Sequence, residues 1–180
     1  MPKVFRGFDY EQMATALQPS LPDLKHIVVV NGSGANSFDA LLSGPAWENE
    51  PDAQGILTRH RPGPDDVTQI IYTSGTTGEP KGVMHTANTV MANIVPYAQR
   101  LQLDAEDVVL MASPMAHQTG FMYGLIMPIL LKASAVILDI WEPLKAIDLI
   151  RDEGCSFTMA STPFLTDLAK NVGESGRTVP

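Results

Sequence analysis

Short apolar runs alternate with longer stretches of helical periodicity along this chain. Runs dense in Val, Ile or aromatic residues predict strands at "HIVVV" (26–30), "TQIIYT" (68–73), "VVLMAS" (108–113), "AVILDI" (135–140) and "SFTMAS" (156–161). Helices are predicted over 10–17, 37–42, 87–100, 120–131, 143–153 and 163–171. Thr86 or Asn88 suits the N-cap of the third helix, and Ser161 or Thr162 followed by Pro163 suits that of the last. Gly154 and Gly173 stand where C-terminal glycines belong. This alternation predicts an α/β fold class, a mainly parallel sheet flanked by helices.

Between Asn31 and Asp66 the pattern breaks into segments rich in Gly, Pro, Asn and Asp, which reads as a long connection or a domain edge. The expected division is an N-terminal segment over 1–66 and a core segment over 67–180, the latter carrying a polar loop at 73–82. The most apolar window, Phe121–Ile140, is interrupted by Pro128, Lys132 and Asp139. It predicts a buried helix followed by a strand, not a membrane span.

Composition narrows the partners. Twelve Lys and Arg against twenty Asp and Glu give a net charge of −8, which opposes binding to nucleic acid or anionic membranes. Any anion site must therefore be local. Cys155 is the single cysteine, so no internal disulfide forms, and it reads as a small core residue. The start, "MPKVFRGFDYEQM", has no apolar signal region, and a cytoplasmic location is expected. No pair among the four histidines has metal-site spacing.

The loop "TSGTTGEPKG" contains what a phosphate-binding turn needs. Thr73, Ser74, Thr76 and Thr77 offer hydroxyls, Gly75, Gly78 and Gly82 free the backbone, and Lys81 supplies a positive charge. The spacing is not that of a Walker A loop: Pro80 stands five residues after Gly75, and Gly82 follows the lysine. "GVMH" reads as a short strand, so the loop is expected to join two strands as a hairpin, holding an anion with its own N–H groups. Composition alone also admits an ordinary polar turn.

The full string "YTSGTTGEPKGV" resembles, residue for residue, the signature of the adenylate-forming superfamily, which includes acyl-CoA synthetases, aryl-CoA ligases, luciferases and peptide-synthetase adenylation domains. "SPMAHQTGF" is similar to that superfamily's next motif, matched here by Pro114, His117 and Gly120, and "SFTMASTPFLTDL" is similar to a later segment, matched by Thr162 and Pro163. Together with "ILDIWEP", these motifs look most like ligases for fatty or alicyclic acids, the cyclohexanecarboxylate-CoA ligase type. Ala116 departs from the aromatic residue many relatives carry before the motif histidine.

The resemblance implies an ATP-dependent acyl-CoA synthetase with ATP, Mg2+ and coenzyme A as cofactors, and with a small-molecule carboxylic acid and a nucleotide as partners. Thr73, Ser74, Gly75, Thr76, Thr77, Gly78 and Lys81 would bind the nucleotide's phosphates, with Lys81 stabilising charge during catalysis. For His117 the motif implies a place at the acyl pocket or the carboxylate's approach, while a histidine satisfied by a backbone carbonyl is the structural alternative. His85 is expected to be structural.

The superfamily's adenine-stacking and magnesium-binding Tyr-Thr-Glu segment, its ribose-binding aspartate and its catalytic C-terminal lysine have no counterparts in these 180 residues. The expectation is a fragment of the large N-terminal domain, inactive alone. Alternatives are a non-catalytic nucleotide- or phosphate-binding module and a subunit of a split synthetase. Self-association through exposed sheet edges is a further expectation.

Overall fold

In the computed structural model, which describes residues 1–44, 46–75 and 78–176, contacts divide the chain into one unit over Met1–Arg61 and another from Pro62 onward. In the first unit, strands β1 (Val4–Phe5) and β2 (Phe8–Asp9) pair antiparallel. Arg6 and Gly7 between them have φ of 52° and 80°, a double left-handed turn whose twist matches a two-residue hairpin. Asp9 then caps helix α1 (Tyr10–Leu17), its Oδ1 accepting the Gln12 N–H at 2.8 Å. Helix α1 buries Ala14 with Ile27 and Val29, and Leu24 packs against them. Helix α2 (Phe38–Leu42) starts from the buried Ser37, whose hydroxyl accepts the Ala40 N–H at 3.0 Å.

Two features of this unit differ from the sequence expectation. "HIVVV" makes no strand; Val29 and Val30 form single bridges to Ser37 and Pro2, because the flanking segments run alongside for only two or three residues. The Gly- and Pro-rich connection holds helix α3 (Ala53–Arg59). A Cβ at Gly55 would fall on the Asp52 carboxylate. The glycine thus leaves room for Asp52 to meet Arg59 at 2.6 Å and tie the ends of the helix.

In the second unit, strands β3 (Val67–Thr73) and β4 (Lys81–Thr86) form the expected antiparallel hairpin. Thr86 closes β4 and opens helix α4 (Ala87–Leu101) through a reciprocal capping box with Thr89. Val90, Ile94 and Ala98, spaced by four, make the buried stripe of α4. Strand β5 (Val108–Met111) follows, then a π-helical turn over Gly120–Ile126, helix α5 (Met127–Leu131) and strand β6 (Ser134–Ile137). Helix α6 (Pro143–Asp152), strand β7 (Phe157–Thr158) and helix α7 (Thr162–Ser175) complete the unit.

Strand β5 runs between β6 and β7, and both pairings are parallel. On one face Val109 joins the α4 stripe, Met122 and Met127; on the other Leu110 joins Leu138, Ala146 and Cys155. A strand covered on both faces needs no polar alternation, which explains the unbroken apolar run at 108–111. Trp141 links α6 to α7, its Nε1 donating to Asp167 Oδ2 at 2.9 Å while its ring meets Phe164 edge-on at 4.6 Å.

The helix expected over 120–131 is divided. Pro128 has no N–H to donate, and upstream of it the Met127 N–H reaches back five residues to Met122 O, the bond of a π-helix. Gly173 lies inside α7, and the left-handed glycine after that helix is Gly176, with φ of 66°. No helix among the described residues is long and apolar enough to cross a membrane.

Candidate functional site

The cross-strand register of the hairpin fixes the ends of the polar loop: Thr73 faces Lys81, and Tyr72 faces Gly82. Gly75 and Gly78 both adopt positive φ, 59° and 86°. A Cβ on Gly75 would press into the Glu79 carbonyl, so only glycine lets the loop fold back on itself at this point. The Lys81 Cγ would lie 3.9 Å from that same Cβ. The lysine stem therefore runs over Gly75, where backbone and charge can act on one anion. Lys81 is exposed and makes no ion pair among the described residues. Thr73, Ser74, Gly75, Gly78 and Lys81 are brought together by this loop; Thr76 and Thr77 lie outside the described residues.

The spacing of Pro114, His117 and Gly120 also has a structural reason. The His117 N–H donates to the Pro114 carbonyl at 2.9 Å, and the His117 carbonyl accepts the Phe121 N–H at 3.1 Å. Gly120 lies so close to the carbonyls of Ser113 and Pro114 that a Cβ there would overlap both, and Gly124 is equally close to the Met111 side chain. This turn is held against the end of β5. The His117 ring accepts the Thr119 N–H at Nδ1, 3.1 Å away, so in the neutral ring the proton sits on Nε2. The ring is thus anchored by a backbone donor, and its Nε2 takes no hydrogen bond among the described residues. No hydrogen bond among the described residues joins His117 to the phosphate loop.

Because β5 and β7 are adjacent and parallel, the segments leaving their carboxyl ends emerge on one edge of the sheet. That is where ligands enter open parallel sheets. One segment carries Pro114–Gly120, and the other carries Met159, Thr162 and Pro163. Two tyrosines bind this region: Tyr97 O–H donates to Met159 Sδ at 3.9 Å, Tyr123 O–H donates to Asn93 Oδ1 at 2.6 Å, and their rings lie 5.0 Å apart. Burial raises both phenol pKa values, and the Tyr123 charge adds to the rise at Tyr97.

His85 sits with Nδ1 3.3 Å from Thr89 Oγ1, beside the cap of α4. Cys155 is buried beside a cavity of ≈ 100 Å³ lined by Leu110, Phe157 and Thr158 among others. Burial is the largest cause raising its thiol pKa, ahead of the neighbouring Glu153 charge, and the result is the reverse of an activated nucleophile. Sequence reasoning passed over Gln118, whose two side-chain polar atoms are sealed from solvent without a hydrogen-bond partner among the described residues. Its type and position carry no signal of that burial.

A parallel-sheet α/β unit with a glycine-shaped hairpin loop defines the structural class. The chain matches the AMP-binding enzyme family over residues 4–178 and belongs to that family. It is 34% identical over 167 residues to the medium-chain fatty-acid–CoA ligase of Escherichia coli (strain K12), covering 93% of this chain and 29% of that relative. A Rhodopseudomonas palustris CGA009 structure assigned to the long-chain-fatty-acid CoA ligases shares the fold with a TM-score of 0.71 at 21% identity, over 89% of this chain and 38% of the other. The O-succinylbenzoate CoA synthetase (MenE) of Bacillus subtilis, in complex with ATP and magnesium, aligns with a TM-score of 0.57 at 26% identity, over 60% of this chain and 22% of its own. The chain thus spans less than a third of the curated relative's length.

Proposed function

We propose that this chain supplies the phosphate loop and one wall of the acyl site of an acid–thiol ligase, an acyl-CoA synthetase. The observation that carries the reading is the hairpin loop, which turns on two positive-φ glycines and where Lys81, without an ion pair among the described residues, runs its stem over Gly75. Two likenesses support it: the E. coli relative is a fatty-acid–CoA ligase, and the B. subtilis structure holds ATP and magnesium.

In such a reaction a carboxylate oxygen attacks the α-phosphorus of ATP, the bond to the bridging oxygen of the β-phosphate breaks, and pyrophosphate leaves. Lys81 and the N–H groups of the glycine loop hold the β- and γ-phosphates in line and offset the charge growing on the leaving group. Loss of one such donor costs about 3 kcal/mol of barrier, by the scale of oxyanion-hole deletions. His117, with Nδ1 occupied, offers Nε2–H on the acid's side of the reaction. The thiol of coenzyme A then displaces AMP from the acyl-adenylate. Among the described residues no group of three or more His, Cys, Asp or Glu could hold a metal.

The competing reading keeps the loop and drops the chemistry: a nucleotide- or phosphate-binding module, or a subunit of a split synthetase. The local construction of the loop, set by its glycine dihedrals and the hairpin register, favours it, and self-association through the outer strands β6 and β7 belongs with it, measurable by light scattering. ATP–pyrophosphate exchange with a panel of carboxylic acids separates the two. The 180 residues alone are expected to show no exchange. Fused in place of the matching segment of the E. coli relative they are expected to support it, and Lys81→Ala should then lower the rate by roughly 100-fold. A fusion that folds and binds ATP without exchanging would leave the module as the answer.

A further inference from the structure

The Gln118 side chain belongs to the turn that leaves β5, between His117 and Thr119. Neither its Oε1 nor its Nε2 has a hydrogen-bond partner among the described residues, although both are sealed from solvent. A primary amide brings two donors and a two-lone-pair acceptor, and a buried polar group left unpaired destabilises the fold. The turn does not need the amide for its own construction. Its bonds are made by the Pro114 carbonyl, the His117 backbone, the Phe121 N–H and the Thr119 N–H to the His117 ring. A leucine of similar volume would carry no such penalty. The adjoining winding is π-helical over Gly120–Ile126, a form rarely kept for more than one turn and concentrated at functional sites.

We infer that Gln118 is a specificity-determining residue of the acyl site, whose amide pairs with an oxygen substituent on the acyl chain. The acid it selects is a hydroxy- or oxo-acid in preference to a plain alkyl carboxylate. The inference rests on reading the chain as part of a carboxylate-activating ligase. The selectivity follows from the unpaired groups themselves: an alkyl chain leaves the amide unsatisfied, and a site built for a hydrogen bond rejects the analogue that lacks it.

The test uses the full 180-residue chain, following the Gln118 side-chain amide signals by ¹⁵N–¹H NMR during titration with 6-hydroxyhexanoate and with hexanoate. The hydroxy acid is expected to shift those signals with an apparent Kd lower by roughly tenfold or more. Gln118→Leu is expected to melt several degrees higher, as the removal of an unsatisfied buried group requires, and to reverse the preference. Equal responses to the two acids, or no response, overturn the inference. A lower melting temperature for Gln118→Leu overturns it too, because the amide would then be paired in the free protein. ATP titration of the Gly75 and Gly78 backbone signals in the same sample reads the phosphate loop separately. Silent glycines with a discriminating Gln118 count against the ligase reading alone, and responsive glycines with an inert Gln118 count against this inference alone.

Discussion

On the β3–β4 hairpin Ile70, Tyr72 and Met84 are 54%, 71% and 65% exposed, whereas Val109, Leu110 and Met111 on β5 are 0–1% exposed. The hairpin carries the glycine loop and the central strand carries the His117 turn, so two parts of one proposed site hang from very different supports. The loop takes its shape locally, from glycine dihedrals and the Thr73–Lys81 register. The His117 turn takes its shape from the core, through Gly120 against the Ser113 and Pro114 carbonyls and Gly124 against Met111. Phosphate binding should therefore tolerate changes in packing that the acyl side does not.

Leu110→Ala tests this division hardest. It removes a side chain buried between β5, α6 and Leu138, and should cost about 2–5 kcal/mol in urea unfolding. The matching change on the hairpin, Ile70→Ala, should stay within about 0.5 kcal/mol, and similar losses at both positions would erase the contrast. Gly120→Ala comes next: its Cβ must displace the Ser113 and Pro114 carbonyls, at a cost of about 1–3 kcal/mol, and the His117 ring signals should move in NMR spectra while those of Gly75 stay in place.

Gly75→Ala should show the opposite profile. A left-handed φ for a residue with a Cβ costs about 1–2 kcal/mol and the Cβ presses into the Glu79 carbonyl, so the loop should change shape and lose ATP affinity while the His117 ring signals stay in place. The smallest effect is that of pH on the Tyr97–Tyr123 pair. Burial raises both folded-state pKa values above the ordinary 10.0, so their contribution is fully present below pH 10 and is lost as pH rises through the folded values. The melting temperature should fall above pH 10 in the wild type, and fall less steeply in Tyr97→Phe.

The elements with strong local signals could be read directly from the chain. Helix α1 runs over Tyr10–Leu17 as expected, since Asp9 and the apolar spacing mark it, and α4 follows Thr86 for the same reason. The hairpin was legible because "GVMH" pairs with "IIYT" across a glycine loop. "HIVVV" has the composition of a strand, but its neighbours at Pro2 and Ser37 give it single bridges only, and the brevity of a partner leaves no trace in the segment itself. Helix α3 was hidden because Gly55 serves the Asp52–Arg59 pair, which sequence alone does not show. The same limit applies at the site: the spacing of Pro114, His117 and Gly120 announces a turn, while the sealed amide of Gln118 is a product of tertiary packing.

The central claim is that the Gly75–Lys81 loop is a polyphosphate grip independent of the core. The most direct measurement is calorimetric titration of the 180-residue chain with ATP, comparing the wild type with Lys81→Ala and with Lys132→Ala, an exposed lysine at the end of α5. The account requires Lys81→Ala to lose at least about tenfold in affinity, the order of one charge-assisted contact, with an unchanged melting temperature and with Lys132→Ala like the wild type. Equal affinity in all three proteins would contradict it.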